Sequence, residues 1–186
     1  AVYKSNLKKI ELHNAQHLPW TMGVNEFADM TEDEFGFKFC GCAKDPKTRA
    51  ARSTPIYGDA PERVDWREQG AVTPVKDQAS CGSCWSFSTT GTVEGAYFVH
   101  SGKLVSLSEQ QLVDCATEPE YEARGCSGGW PWSVLGYVQK KGLCTEEDYP
   151  YHGKDEDCKD DKCTVAVQTA GEVQLPQGDE ASLANA

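Results

Sequence analysis

The sequence contains no apolar run approaching the ~20 residues that a membrane-spanning helix needs, so a membrane role is not expected. It holds no internal repeat and no low-complexity block, which argues against a solenoid or a disordered tract. Positive charge is scarce: 18 Lys and Arg face 29 Asp and Glu, for a net charge of −11. That balance disfavours nucleic acid as a partner. The chain opens on Ala1 instead of Met and shows no signal-peptide pattern, so any leader would precede it.

What is present describes a globular protein of one or two domains, 186 residues long, with 39% hydrophobic and 10% aromatic residues. The charge is unevenly placed. Residues 1–59 carry eight basic and eight acidic side chains, so the whole acidic surplus lies beyond them. That shift predicts two functional parts. Nine cysteines are many for a cytosolic protein of this size and point to disulfides in an oxidising compartment. The count is odd, so at least one thiol lies outside any set of intrachain pairs.

The periodicity predicts a helix over residues 1–17, with Tyr3, Leu7, Ile10 and Asn14 on one face. Gly23 to Asp29 has strand or loop character. Thr31-Glu32-Asp33-Glu34 is a capping box that starts a second helix. Residues 40–60 are rich in Ala, Pro, Lys and Arg and read as an exposed linker open to cleavage. A longer helix is predicted from Ser83, as N-cap, to His100, stopped by Gly102. Gly91 and Gly95 inside it suggest close packing by another element. Ser108 to Gln111 is a second capping box, for a helix running to Asp114. Pro131 opens a third, with Val134, Leu135 and Val138 inward and Gly142 at its end. Val165 to Val173 alternates like a strand, and residues 174–186 show no complete element.

The informative run is Gln78-Ala79-Ser80-Cys81-Gly82-Ser83-Cys84-Trp85. Its C-x-x-C pair has several readings. Zinc would need a second pair or histidines at suitable spacing, and Cys40 and Cys42 stand too close together for that. A redox pair would sit in a βαβ pattern with the Trp before the first cysteine, whereas Trp85 follows the second. Two structural cysteines are the plain alternative. The remaining reading is a nucleophile: Cys84 in the first turn of a helix, where the dipole and unpaired backbone N–H groups favour an anionic sulfur.

Cys-Gly-Ser-Cys-Trp matches the nucleophile signature of the papain and cathepsin proteases. Other segments follow in that family's order: Val64 to Arg67, Gly70 to Lys76, Ser106 to Gln110, Val113 to Cys115, Gly125 to Trp132 and Tyr149 to Tyr151. The chain therefore resembles a papain-like cysteine protease precursor of the cathepsin L type, truncated at both ends. Asn6, Ile10 and Asn14, with Tyr3 where Phe is usual, resemble the interspersed helix motif of the propeptides. Gly23, Asn25, Phe27 and Asp29 resemble the second propeptide motif.

The resemblance implies an α+β papain-like fold, with the helical left domain present and the β-rich right domain only begun, preceded by a helical propeptide. It implies a propeptide inhibitor domain over 1–39, an activation linker over 40–60 and a partial peptidase domain over 61–186. In the family the propeptide runs through the cleft in the reverse direction to substrate and blocks it. Cys84 is implied as the nucleophile and Gln78 as the oxyanion donor. Gly82, Gly128, Gly129, Trp130 and Pro131 would bind substrate, with Trp130 and Pro131 walling an apolar pocket and Trp132 in the core. The implied disulfides are Cys81 with Cys126 and Cys115 with Cys158; Cys144 with Cys163 would be a third. Cys40 and Cys42 stay unassigned. Ala79 stands where the family usually has Gly, which matters if the backbone there needs a positive φ.

The family's catalytic His and orienting Asn come after the point where this sequence stops. None of His13, His17, His100 and His152 fits the role, so the chain alone is expected to be inactive. The implied activity is that of a cysteine-type endopeptidase zymogen needing no cofactor. Its partners would be peptide substrates, its own propeptide and cystatin-type inhibitors. It would be a monomer of the lysosome, vacuole or extracellular space. The alternative from another class is a non-catalytic inhibitor or binding protein, which would need neither Gln78 nor Cys84.

Overall fold

A computed structural model describes residues 1–39, 55–117 and 119–186. The chain divides into two compact units, one in the first 40 residues and one in the remainder. Most of the expected 40–60 linker, with Cys40 and Cys42, lies outside the described residues. Among the described residues no helix is long and apolar enough to cross a membrane.

The first unit has helices α1 (Val2–Asn14) and α2 (Glu32–Phe39). No residue of α1 is fully buried, so side-chain hydrogen bonds to the backbone define the unit. Asn6 Nδ2 donates to the carbonyls of Ala28 at 3.0 Å and Met30 at 2.9 Å. Asn14 donates to Met22 O at 2.9 Å and accepts from Met22 N at 2.8 Å. Residues 26–29 form a turn and 23–25 are irregular, with no strand. The Thr31 box closes reciprocally: Glu34 N donates to Thr31 Oγ1 at 3.1 Å, and Thr31 N to Glu34 Oε2 at 2.8 Å. Phe27, Phe35 and Phe39 cluster, with ring centroids 5.0–5.3 Å apart.

The second unit is built on α3 (Cys84–Ser101), against which α4 (Glu109–Cys115) and α5 (Pro131–Lys141) pack. Trp85, Val93, Leu107, Leu112, Val134 and Val138 fill the core between them. Gly102 ends α3 in the left-handed conformation, φ +70°, where a glycine carries no Cβ penalty. The glycines inside α3 overturn one expectation. A Cβ built on Gly91 or Gly95 meets nothing within 4 Å, so neither is there for close packing.

Ser108 caps α4, its Oγ accepting from Gln111 N at 3.0 Å. Only half of the box forms. The Gln111 side chain turns inward instead, donating to Tyr137 Oη and Gly142 O and accepting from Cys144 N at 2.8 Å. Two further expectations are corrected. The strand of 165–173 shrinks to β2 (Val165–Val167), because its antiparallel partner β1 (Leu143–Cys144) offers only two residues to pair with. The tail contains a short helix, α6 (Glu180–Ala184), where Asp179 Oδ1 accepts from Ser182 N at 2.9 Å.

Candidate active site

The start of α3 is set by a short loop pinned from two sides. Cys81 is bonded to Cys126, and Gly82 N donates to Cys126 O at 3.0 Å. Within the loop, Gln78 Nε2 donates to Cys81 O at 2.8 Å. One of the two amide N–H groups of Gln78 is thereby used to fix the plane of the amide. Cys84 is the first residue of the 18-residue helix that follows, and its side chain is half-buried. Four backbone N–H groups lack intrahelical partners at such an end, so the sulfur sits beside a concentration of donors. Among the described residues three disulfides join Cys81 to Cys126, Cys115 to Cys158 and Cys144 to Cys163, and Cys84 takes part in none of them.

Ser83 stands at the N-cap but makes no side-chain cap. Its hydroxyl goes to Tyr151 Oη at 2.6 Å, and Tyr151 Oη also donates to Gln78 O at 2.9 Å. The Tyr151 ring meets the Phe87 ring edge-on, centroids 5.0 Å apart. Tyr151 therefore ties the Gln78 loop to the first turn of α3. Sequence reasoning noted its motif and gave it no role, since nothing local in Tyr-Pro-Tyr points 73 residues back. Ala79 has φ +52°, the left-handed region, so the Ala-for-Gly position is a strained one.

Trp85 is completely buried, and its Nε1 donates to Gly125 O at 3.2 Å. Behind it lies Gly129, where an added Cβ would come within 2.8 Å of Ala123 Cβ and 2.9 Å of the Trp85 ring. Packing alone therefore demands glycine at 129, whatever else approaches it. Gly128 has φ +111°; its N–H donates to Gly125 O, and its carbonyl accepts from Arg124 N at 2.8 Å. Trp130 precedes Pro131, the first residue of α5, and stacks on Trp132 with centroids 6.1 Å apart. Trp132 is half-buried and lies outside the core cluster, contrary to its expected place there.

Beneath the loop is a buried charge cluster that the sequence did not announce. Lys76 Nζ lies 2.9 Å from Glu94 Oε1 and 2.7 Å from Glu109 Oε1. Glu94 also accepts from Thr73 Oγ1 and Leu107 N, and Glu109 from Thr90 Oγ1 at 2.6 Å. Burial is the largest single influence on the Lys76 ammonium and acts to lower its pKa. The Glu109 and Glu94 carboxylates together outweigh it, leaving the value above that of an ordinary lysine.

The histidines of this unit do other things. His100 lies at the far end of α3, about four turns or roughly 24 Å along the axis from Cys84. His152 Nδ1 is 3.1 Å from Glu156 Oε1. Lys159 and then Lys154 bond to that same carboxyl and hold it down at about 2. Among the described residues, Cys115, Cys158 and Asp160 stand close enough to share a metal ion, but the two sulfurs are bonded to each other.

The description "Papain family cysteine protease" matches residues 60–186, and "Cathepsin propeptide inhibitor domain" matches residues 1–35. The chain belongs to the papain family. It is 42% identical to digestive cysteine proteinase 1 of Homarus americanus over 190 residues, covering all of this chain and 59% of that one. It is 45% identical to the thiol protease aleurain of Arabidopsis thaliana, covering all of this chain and 52% of the relative. With cathepsin L2 of Homo sapiens it shares 48% over 86% of this chain and 49% of the other. The chain thus spans about half the length of the curated relatives it matches.

Solved structures of the papain family give the same picture. The recombinant stem bromelain precursor superposes with a TM-score of 0.82 at 32% identity, over 99% of this chain and 59% of that one. Digestive procathepsin L2 from the Tenebrio molitor larval midgut gives 0.82 at 35%, over 98% and 62%. The fold is the α+β papain-like one, with its helical domain formed here by α3 to α5.

Proposed function

We propose that this chain carries the attacking half of a cysteine endopeptidase made as a zymogen. One observation carries the reading: Cys84, outside every disulfide of the described residues, opens an 18-residue helix on a loop held by the Cys81–Cys126 bridge, with Gln78 on the same loop. In the chemistry that follows, the Cys84 sulfur adds to a peptide carbonyl. The carbonyl oxygen takes up negative charge, and the Gln78 amide and the Cys84 backbone N–H stabilise it. The amine then leaves with a proton, and water releases the acyl group. A general base takes the thiol proton and returns it to the leaving amine; His100 lies roughly 24 Å along α3 from Cys84, too far for that task, and His152 is engaged with Glu156. Trp130 and Pro131 offer an apolar wall, which favours a hydrophobic side chain two residues before the scissile bond. Gly82, Gly128 and Gly129 line the approach with small residues.

The match of residues 1–35 to a propeptide inhibitor domain supports segment 1–39 as the inhibitor and 40–60 as the place where it is cut off. Three disulfides support a passage through the secretory pathway to lysosome, vacuole or exterior. The same reading has the enzyme act as a monomer and accept cystatin-type inhibitors.

The test uses a dipeptide substrate with a hydrophobic residue two positions before the cleaved bond. The 186-residue chain alone gives no turnover. Protein from the complete reading frame, matured at acidic pH, cleaves the substrate. Cys84→Ser abolishes that cleavage, and Gln78→Ala lowers it by about 100- to 1,000-fold. Turnover retained by Cys84→Ser overturns the reading, as does recovery of Cys84 in an intrachain disulfide by unreduced peptide mapping.

A further inference from the structure

Two carboxyl oxygens in the interior of the second unit have no hydrogen-bond partner: Glu109 Oε2 and Glu146 Oε2. A buried carboxylate oxygen without a donor is costly, and two such groups side by side repel each other. The backbone brings them together. Leu107 forms an isolated bridge with Thr145, and Glu146 N donates to Ser106 O at 2.9 Å. Glu146 is thereby fixed beside the first residue of α4, which is Glu109. The charge of Glu109 acts on the Glu146 carboxyl there.

Their other oxygens are engaged. Glu109 Oε1 accepts from Lys76 Nζ and Thr90 Oγ1, and Glu146 Oε1 accepts from Tyr151 N at 2.7 Å. The charged and titratable groups around the pair come from every neighbouring segment. Lys76 and Asp77 lie on the strand of chain before the Gln78 loop, Glu94 on α3, Glu109 on α4, and Tyr151 follows Glu146 itself. Among these groups Lys76 is the one cation against four carboxylates, Asp77, Glu94, Glu109 and Glu146. A single proton on Glu146 removes one unit of that excess and turns its orphaned acceptor into a donor to Glu109 Oε2.

We propose that Glu146 takes up one proton from solvent and donates it to the orphaned oxygen of Glu109, and that this protonated state is an acid-set latch holding Tyr151, and through it the Gln78 loop, against the start of α3. The path is continuous. Glu146 Oε1 holds Tyr151 N, and Tyr151 Oη holds Gln78 O and Ser83 Oγ. Burial is the main cause that raises the Glu146 pKa above the ordinary 4.5; the Tyr151 N–H bond works against it, the nearby Glu109 charge adds to it, and the net direction is upward. A pKa raised in the folded state contributes stability that is whole below the unfolded value and is lost as the pH climbs through the folded one. The latch is therefore closed in acid and loosens toward neutral pH. Its consequence for catalysis rests on the role of Gln78 proposed above; the proton on Glu146 does not.

Glu146→Gln provides the test, because an amide donates permanently where the acid donates only when protonated, and its oxygen still accepts from Tyr151 N. Urea denaturation of the 186-residue chain is measured from about pH 4.5 to about pH 7.5. The folded-to-unfolded ratio of the wild type should fall relative to that of Glu146→Gln by up to roughly tenfold per pH unit, until the raised value is passed. Infrared spectra at mildly acidic pH should show a carboxylic acid carbonyl band that the variant lacks. Amide exchange at Cys81 and Gly82 should accelerate with pH beyond its intrinsic dependence in the wild type, and only intrinsically in Glu146→Gln. Tyr151→Phe should make that exchange fast at both ends of the range while the stability slope persists. Parallel stability profiles, a missing acid band, or merely intrinsic exchange in the wild type overturns the latch. None of these readouts uses peptide cleavage, so failure of the latch and failure of the nucleophile assignment are separately visible.

Discussion

The two units are held together by different physics. The first has α1 with no fully buried residue, two asparagines that clamp loop carbonyls, and a small cluster of phenylalanines. The second has a core around Trp85, three disulfides and a buried charge network. Hydrogen bonds at a half-exposed surface are each worth about 1 kcal/mol, whereas bridges and buried aromatics are worth several. A segment matching a propeptide inhibitor domain is thus built from contacts that are individually weak, while the peptidase unit is covalently stapled around its candidate site. The contrast predicts that the units respond to different insults.

The largest expected effect comes from opening the staple. Replacing both Cys81 and Cys126 by Ala should cost about 2–5 kcal/mol in urea denaturation of the second unit. Amide protection in α1 should not change. A loss spread equally over both units would break the distinction. Next is Gly129→Ala. The added methyl must push Trp85 or Ala123 aside, which should cost about 1–3 kcal/mol and show as a lower thermal midpoint with altered Trp fluorescence. In the first unit, Asn6→Ala removes two hydrogen bonds and should weaken protection of α1 by about 1–2 kcal/mol in hydrogen exchange, leaving α3 to α5 unchanged.

The same contrast separates what could be read from the sequence from what could not. Local signals were legible: the Thr31 box, Ser108 as a cap, Pro131 opening α5, and Gly102 and Gly142 closing their helices all act within a few residues of themselves. The start of α3 at Cys84 was legible for the same reason, with Gln78 on the loop six residues before it. Long-range partnerships were not. Gln111 looked like half of a cap and instead bridges α4 to Gly142 and Cys144. Tyr151 reaches Gln78 across 73 residues, and Glu146 finds Glu109 through a bridge at Leu107 that no periodicity announces. The short β2 failed for a related reason: strand length depends on the partner, and β1 lies more than twenty residues upstream. α6 had a local signal, Asp179 three residues before Ser182, which is easily overlooked in so short a segment.

The smallest predicted effects concern backbone conformation and carry opposite substitutions. Gly91 is exposed, lies inside α3, and has open space where a Cβ would go. Gly91→Ala should therefore stabilise the second unit by up to about 1 kcal/mol, since the helix gains a better former and loses nothing. At Ala79 the direction reverses. With φ +52° the Cβ is the source of strain, so Ala79→Gly relieves it, while the wider freedom of glycine in the unfolded chain offsets part of the gain. The net change should be within about 1 kcal/mol and stabilising. Denaturation midpoints of the two variants and of the double variant decide the matter. The sites lie on different segments, so the effects should add. A destabilised Ala79→Gly would mean that packing of the Ala79 methyl, which lies on the side of Gly153 where a Cβ would point, outweighs the strain.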